Sequence, residues 1–249
     1  MIQFYFWKTS KYKDEEPMTS FQNQKTALIT GGNGGIEQAI ARRLSQQGIE
    51  VAITDIKESD QKSFSFFRCN LCNGAQVDQL YQWVIENHGV PDYLILCAGQ
   101  GIKEKLYEGD PDKWQKIIDI NLMGVLRCLR AFVPQMLERQ NGVVLFISSV
   151  AADQPHPYGG VYSASKAAVE MIAETLRIET FPFLRTTILR LGAADTDFFK
   201  NQKAGDPDYS QKNPTMRPEE IANDVYYIIT RPGDSVIHQM ITRPLAQKF

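Results

Sequence analysis

An excess of either charge is missing from this sequence. Its 249 residues carry 27 Lys and Arg against 29 Asp and Glu, a net charge of −2, so nothing in the balance points to nucleic acid as a partner. Long apolar runs are missing as well. None approaches the roughly 20 residues a membrane helix needs, and no membrane partner is expected. Cysteines number only 4. Cys69 and Cys72 form a C-x-x-C, but no second pair or neighbouring His completes a ligand set, so core or loop thiols and no metal are expected. The first 24 residues, MIQFYFWKTSKYKDEEPMTSFQNQ, lack the apolar stretch and small-residue cleavage site of a secretory signal. They read as a mobile N-terminal extension, with Met18 as an alternative start. Reduced thiols and no signal together lead us to expect a cytoplasmic protein. Of the 3 histidines, none has a partner pattern suggesting catalysis, and His88, His156 and His238 read as loop and strand-end residues.

What is present is enough apolar residue, 43%, to bury the core of one domain. From Lys25 onward, short β-rich runs alternate with helical stretches. Strands are expected at Thr26–Thr30, Glu50–Thr54, Ser65–Cys69, Tyr93–Cys97, Val143–Ser148, Thr186–Arg190 and Val236–Ile241. Several are almost wholly apolar, as parallel strands covered on both faces should be. Helices are expected near 35–47, 75–88, 111–139, 159–181 and 217–230, with Pro134 ending or kinking the third. Such β-α-β repetition predicts an α/β fold: a single doubly wound, Rossmann-type domain with a seven-stranded parallel sheet and helices on both faces. The cofactor half would span about 25–140 and the catalytic, substrate-binding half about 141–249. Residues 192–216 show no periodicity and read either as a lid over a site or as a surface excursion.

The stretch TGGNGGIEQAIARRL, residues 30–44, follows the first strand directly. Glycines at the opening of a helix let free backbone N–H groups approach a pyrophosphate. Asp55 ends the next strand, twenty residues beyond Gly35, where a carboxylate accepts hydrogen bonds from both ribose hydroxyls and repels a 2′-phosphate. No Arg or Lys stands at Gly34 or Ile56 to rescue such a phosphate, so NAD is favoured over NADP.

The T-G-x-x-x-G-I of Thr30–Ile36 resembles the cofactor signature of the short-chain dehydrogenase/reductase family, and the similarity runs from about Lys25 to the C-terminus. By that resemblance Gly31, Asn33, Gly34, Gly35, Ile36 and Asp55 would hold the cofactor. Asn70 and Leu71 would meet the adenine. Ala98 and Gly99 match the end of an Asn-Asn-Ala-Gly motif whose asparagines are here Leu96 and Cys97, a buried apolar pair that could tie the sheet by packing. The run Leu191–Thr196 is similar to the family's Pro-Gly-x-x-x-Thr, which puts Gly192 and Thr196 beside the nicotinamide. The closing Arg-Pro-x-x-Gln, residues 243–247, is similar to relatives acting on small 3-hydroxy acids.

Downstream, VYSASKAAVEM carries Tyr162 and Lys166 one helical turn apart, on one face. Ser149 ends the apolar strand VVLFISS, and Asn121 lies in IIDINLMGV. These four fall where the family's Asn-Ser-Tyr-Lys set would place them. A free tyrosine, with pKa near 10, is a poor base at neutral pH, and an adjacent ammonium favours phenolate. The resemblance implies Tyr162 as general acid/base, with Lys166 lowering its pKa and binding the nicotinamide ribose. Ser149 would donate to the substrate oxygen, and Asn121 would anchor a water in a proton relay. Asp153, Tyr158 and Phe198 are expected walls of the substrate pocket. The implied activity is NAD-dependent interconversion of a secondary alcohol and a ketone, by a homodimer or homotetramer. An apolar face at Ala167, Ala168, Met171 and Ile172 serves either that assembly or the core.

One residue departs from the pattern where it matters. The family's third glycine falls at position 37, which here is Glu37. A carboxylate about 5 Å from a pyrophosphate, at an effective dielectric near 20, is repelled by about 3 kcal/mol. Pointed into solvent, it would cost little. With Asn70, Leu96 and Cys97 also off pattern, the alternative is a catalytically weak relative serving as a nucleotide-sensing or regulatory module.

Overall fold

The structure is a computed structural model and describes residues 24–59, 63–198, 213–232 and 235–247; the N-terminal extension and the middle of the 192–216 segment lie outside these ranges. Seven strands form one sheet: β1 (Thr26–Thr30), β2 (Glu50–Asp55), β3 (Ser65–Arg68), β4 (Tyr93–Leu96), β5 (Val143–Ser149), β6 (Arg185–Leu191) and β7 (Gln239–Thr242). Their order is β3-β2-β1-β4-β5-β6-β7, and every pairing is parallel. The chain therefore winds outward in both directions from β1, and its crossovers part between β1 and β4. That divergence is where a doubly wound sheet opens a crevice.

The helices are α1 (Gly35–Ser45), α2 (Gly74–His88), α3 (Pro111–Ile118), α4 (Gly124–Glu138), α5 (Gly160–Glu179) and α6 (Pro218–Ile229). Strand side chains alternate between two cores. Ala27, Ile29, Tyr93, Ile95, Leu145 and Ile147 pack with α1 and α6. Leu28, Leu94, Leu96, Val144 and Phe146 face α2, α4 and α5. This period of two explains why the central strands read as unbroken apolar runs.

The long helical stretch at 111–139 departs from expectation. It is two helices joined by a single π-helical turn, Asp119–Met123, in which the Gly124 N–H reaches back to the Asp119 carbonyl. Pro134 neither ends nor breaks α4, which runs on to Glu138. Pro134 is exposed, so the Arg130 carbonyl that it cannot satisfy faces water rather than core. The last strand begins three residues later than its apolar pattern suggested, at Gln239. No described helix is long and apolar enough to cross a membrane.

Candidate functional site

The site is built from the carboxyl ends of strands and the turns after them, with Tyr162 and Lys166 supplied by α5 and Asn121 by the π-helical turn. After β1, Gly31 adopts φ +81°, and a side chain there would meet the Ala98 Cα at 2.9 Å; the turn needs a glycine both for its left-handed φ and for that approach. The N–H groups of Gly31 and Gly32 donate to the Thr54 carbonyl at 2.8 and 2.9 Å, stitching the turn to β2. The Thr30 hydroxyl accepts from the N–H groups of Cys97 and Ala98 at 3.0 and 3.1 Å. Thr30 thus ties β1 to the turn after β4, a task that packing of Leu96 and Cys97 was expected to carry. Replacing Thr30 with Val should orphan these two amides at a cost of about 2 kcal/mol, read as a lower urea midpoint.

Asp55 closes β2 with its carboxylate accepting from the Asn33 N–H at 3.2 Å and the Lys57 N–H at 2.9 Å. The Asn33 amide in turn donates to the Lys57 carbonyl at 2.9 Å. These bonds fix the acid at the rim of the crevice. Asn70 turns inward: its Oδ1 accepts from the Cys72 N–H at 3.0 Å. The Leu71 carbonyl accepts from Arg127 at 3.1 Å. Cys69 and Cys72 are free thiols, the first buried and the second half-buried.

On the catalytic side, the Ser149 hydroxyl is hydrogen-bonded to the Tyr162 oxygen and also accepts from the Ala151 N–H at 3.2 Å. Lys166 lies one turn further along α5; its Nζ donates to the Ile147 carbonyl at 2.9 Å and stands 6.0 Å from the Tyr162 ring centre. Burial pushes the Tyr162 hydroxyl up to about 12, against the lowering effect of the Ser149 bond. Burial also lowers Lys166, with Cys97, Glu37 and Glu170 opposing. The expected downward pull of the ammonium on the phenol does not figure in this balance, in which burial is the largest effect.

Asn121 sits in the π-helical turn, 1% exposed. Its Oδ1 accepts from the Gln100 N–H at 2.8 Å, while Nδ2 donates to the Gln100 carbonyl at 3.0 Å and to the Ser165 hydroxyl at 2.9 Å. The side chain is thus committed to holding the 99–100 backbone, directly behind Lys166.

Of the expected site residues, all but Asn121 line one continuous crevice of about 1570 Å³. The glycine turn, Asp55, Asn70, Leu71, Ala98 and Gly99 form its cofactor end, and Ser149, Tyr162, Lys166, Gly192 and Thr196 its catalytic end. Among the expected pocket walls, Phe198 is in place, its ring 5.8 Å from that of Tyr162. Asp153 is not a wall; it pairs with Arg190 at 2.7 Å. Tyr158 does not line the crevice either, its φ of +67° belonging to an exposed bend.

Several lining residues were not expected at the site. Gln154 and His156 border the catalytic end. Gln247 reaches back from the C-terminus to accept from the Ala193 N–H at 3.2 Å, and the Arg-Pro-x-x-Gln pattern was the available signal for it. His88 is not a loop residue but the last residue of α2, with Nδ1 2.7 Å from Glu50.

The direction of Glu37 is settled by the glycines around it. A side chain on Gly34 would collide with the Glu37 Oε2, and one on Gly31 would come within 3.2 Å of Oε1. The carboxylate therefore folds back over the turn and accepts a hydrogen bond from the Cys97 thiol. The residue as a whole is half-buried, but its carboxylate is enclosed, and that enclosure raises it to about 7; the Cys97 bond and Lys166 lower it, and Asp55 raises it. Cys97 is pushed well above the usual thiol range, chiefly by burial and then by Glu37. A pyrophosphate laid on the glycine turn would meet this group.

Comparison with known proteins agrees with the geometry. Residues 25–207 match the short chain dehydrogenase family. The chain is 26% identical to an uncharacterised oxidoreductase of Staphylococcus epidermidis over 231 residues, covering 89% of this chain and 98% of that one. It is 31% identical over 239 residues to the glycine betaine reductase ATRR of Emericella nidulans; that match covers 88% of this chain but only 19% of the reductase. Among solved structures, an alcohol dehydrogenase from Thermococcus sibiricus complexed with 5-hydroxy-NADP superposes with TM-score 0.80 at 28% identity, covering 91% of this chain and 99% of that one. A serine dehydrogenase complexed with NADP+ gives TM-score 0.83 at 26% identity, covering 90% and 96%. A parallel sheet opening at its switch point, a glycine turn and a Ser-Tyr-Lys group on one crevice agree with these matches: the chain belongs to the short-chain dehydrogenase/reductase family, oxidoreductases acting on CH–OH donors.

Proposed function

We propose that the protein interconverts a secondary alcohol and a ketone with NAD, Tyr162 acting as general acid/base. The observation that carries this is the Ser149–Tyr162 hydrogen bond, set in the same crevice as Lys166 and the glycine turn. The fit to a nicotinamide dinucleotide is good at both ends and strained in the middle. Asp55 and Asn33 would hold the adenosine ribose, Lys166 and Thr196 the nicotinamide end, and Glu37 stands in the way. When bound, the dinucleotide would supply the hydride acceptor. The chain's own part is to hold the substrate oxygen between Ser149 and Tyr162 and to take its proton at the phenol oxygen. Lys166, kept close by the Ile147 carbonyl, presents positive charge to the crevice where a phenolate would form. The regulatory-module alternative draws on Glu37, whose carboxylate lies over the glycine turn; the gathering of Ser149, Tyr162 and Lys166 on one crevice favours the enzyme.

Adding NAD+ with a panel of small secondary alcohols, or NADH with the matching ketones, and following nicotinamide absorbance together with melting temperature, tests this reading. A melting temperature unmoved by both NADH and NADPH, with no turnover, would overturn it. For cofactor choice, the Asp55 carboxylate, held by the Asn33 and Lys57 N–H groups, would repel a 2′-phosphate, so NADH should bind at least about tenfold tighter than NADPH. Asp55→Ser should narrow that ratio, and a titration of both nucleotides reads it directly. We further propose a homodimer or homotetramer. The 68% exposure of Met171 on α5 supports a self-contact there, to be checked by light scattering.

A further inference from the structure

A helix N-terminus offers an anion the N–H groups of its first turn, which have no partner within the helix. In α1 that turn contains Glu37, and one of its donors is already engaged, since the Glu37 backbone N–H bonds its own carboxylate. The thiol of Cys97, presented from the end of β4, holds the same carboxylate from the other side. The group thus lies where negative charge is welcome, with two donors, at the wall of the crevice. The other charges facing it are Asp55 from the end of β2 and Lys166 from α5, the one repelling and the other attracting. Behind Lys166 stands Glu170, and Tyr162 faces Cys97.

We propose that Glu37 is a built-in occupant of the pyrophosphate seat, so that this protein takes up one proton at the Glu37 carboxylate when it binds a nicotinamide dinucleotide. The step is a simple protonation, solvent proton plus carboxylate giving carboxylic acid, with no other bond changed. A neutral Glu37 is no longer repelled and has an O–H to offer a phosphate oxygen. An ionised one would face at least two further negative charges at contact distance. The carboxyl is poised for this, since enclosure has already brought it to about 7. The inference rests on the dinucleotide reading above and deepens it, making Glu37 a determinant of cofactor affinity.

The sign follows from linkage. Below the carboxyl's own pKa the proton is already in place and affinity is level; above it each pH unit lowers affinity about tenfold. Fluorescence titration with NADH at pH 6, 7 and 8 should therefore show the parent weakening about tenfold across the range. Calorimetry in phosphate and in Tris at pH 8 should count nearly one proton taken up per NADH. Glu37→Gln, neutral at every pH, and Glu37→Gly, which restores the family's residue, should both be level, and Glu37→Gly should bind tenfold or more tightly at pH 8.

Other titratable groups face the site, Lys166 and Cys97 among them, and a slope that persists in Glu37→Gln would assign the proton to one of these and overturn the proposal. A level parent profile with no proton uptake would overturn it too, and that arm requires no variant to fold. If the parent and both variants bind neither NADH nor NADPH at any pH, the dinucleotide reading falls and takes this inference with it. If all three bind alike, only the role of Glu37 is lost.

Discussion

Tyr162→Phe is expected to lower alcohol oxidation by roughly two to four decades, the usual worth of a positioned general base, while leaving NADH affinity and melting temperature nearly unchanged. The two outcomes separate because the hydroxyl and the ring do different work. The ring packs at 5.8 Å against Phe198, and phenylalanine keeps that contact. The hydroxyl meets Ser149 and is the only part of the side chain able to accept a substrate proton. Burial raises this phenol to about 12, so phenolate is scarce at neutral pH and alcohol oxidation in the parent should quicken as pH rises. Ketone reduction, which needs the protonated phenol, should lack that rise. Steady-state rates in both directions for parent and variant check the assignment; comparable rates in the variant would remove Tyr162 from the chemistry.

Glu170→Ala should cost about 3 kcal/mol, because removing one member of a buried pair leaves the other largely uncompensated, here with the half-exposed Asp153 as the remaining ion-pair partner of Arg190. Arg190 on β6 donates to Glu170 on α5 through Nε at 2.8 Å and Nη2 at 2.5 Å, and the Ser148 hydroxyl donates to the same carboxylate at 2.6 Å. Side-chain exposures of 15% for Arg190 and 10% for Glu170 leave little room for water to compensate. For a chain of this length the melting temperature should fall by roughly 6–12 °C. The double variant Glu170→Leu with Arg190→Met should recover much of the loss, since no buried charge is then left unpaired and Asp153, which loses Arg190, is half exposed to water. Thermal unfolding of the two proteins decides it; equal losses would show that the pair is not what holds β5, β6 and α5 in place. Ser148 precedes Ser149, so this pair also positions the hydroxyl that meets Tyr162.

The sheet was legible because its signal is local. Period-two burial on both faces leaves unbroken apolar runs, and every strand was found, its ends agreeing or differing by a residue except at the start of β7. The crevice residues were legible as types at fixed spacings from strand ends. Four features were not. The π-helical turn inserts no loop and no glycine-proline punctuation, so 111–139 reads as one helix. Asp153 was drawn away from the pocket by Arg190, a partner 37 positions distant. The hold of Asn121 on Gln100 depends on two backbone groups that no residue type reveals. The direction of Glu37 was open for the same reason: helix position fixes where a side chain begins, and only the Cys97 thiol and the bare glycines fix where it ends.

The widened turn at Asp119–Met123 has an architectural consequence. On its far side α4 is sunk into the sheet through Val125, Cys128, Leu129, Phe132, Val133 and Met136, whereas α3 before it buries Ile117 alone. The chain has thus placed a joint between a foundation and an awning. The awning, with Lys116 at the crevice edge, is free to be rewritten for a new guest molecule without disturbing the masonry beneath.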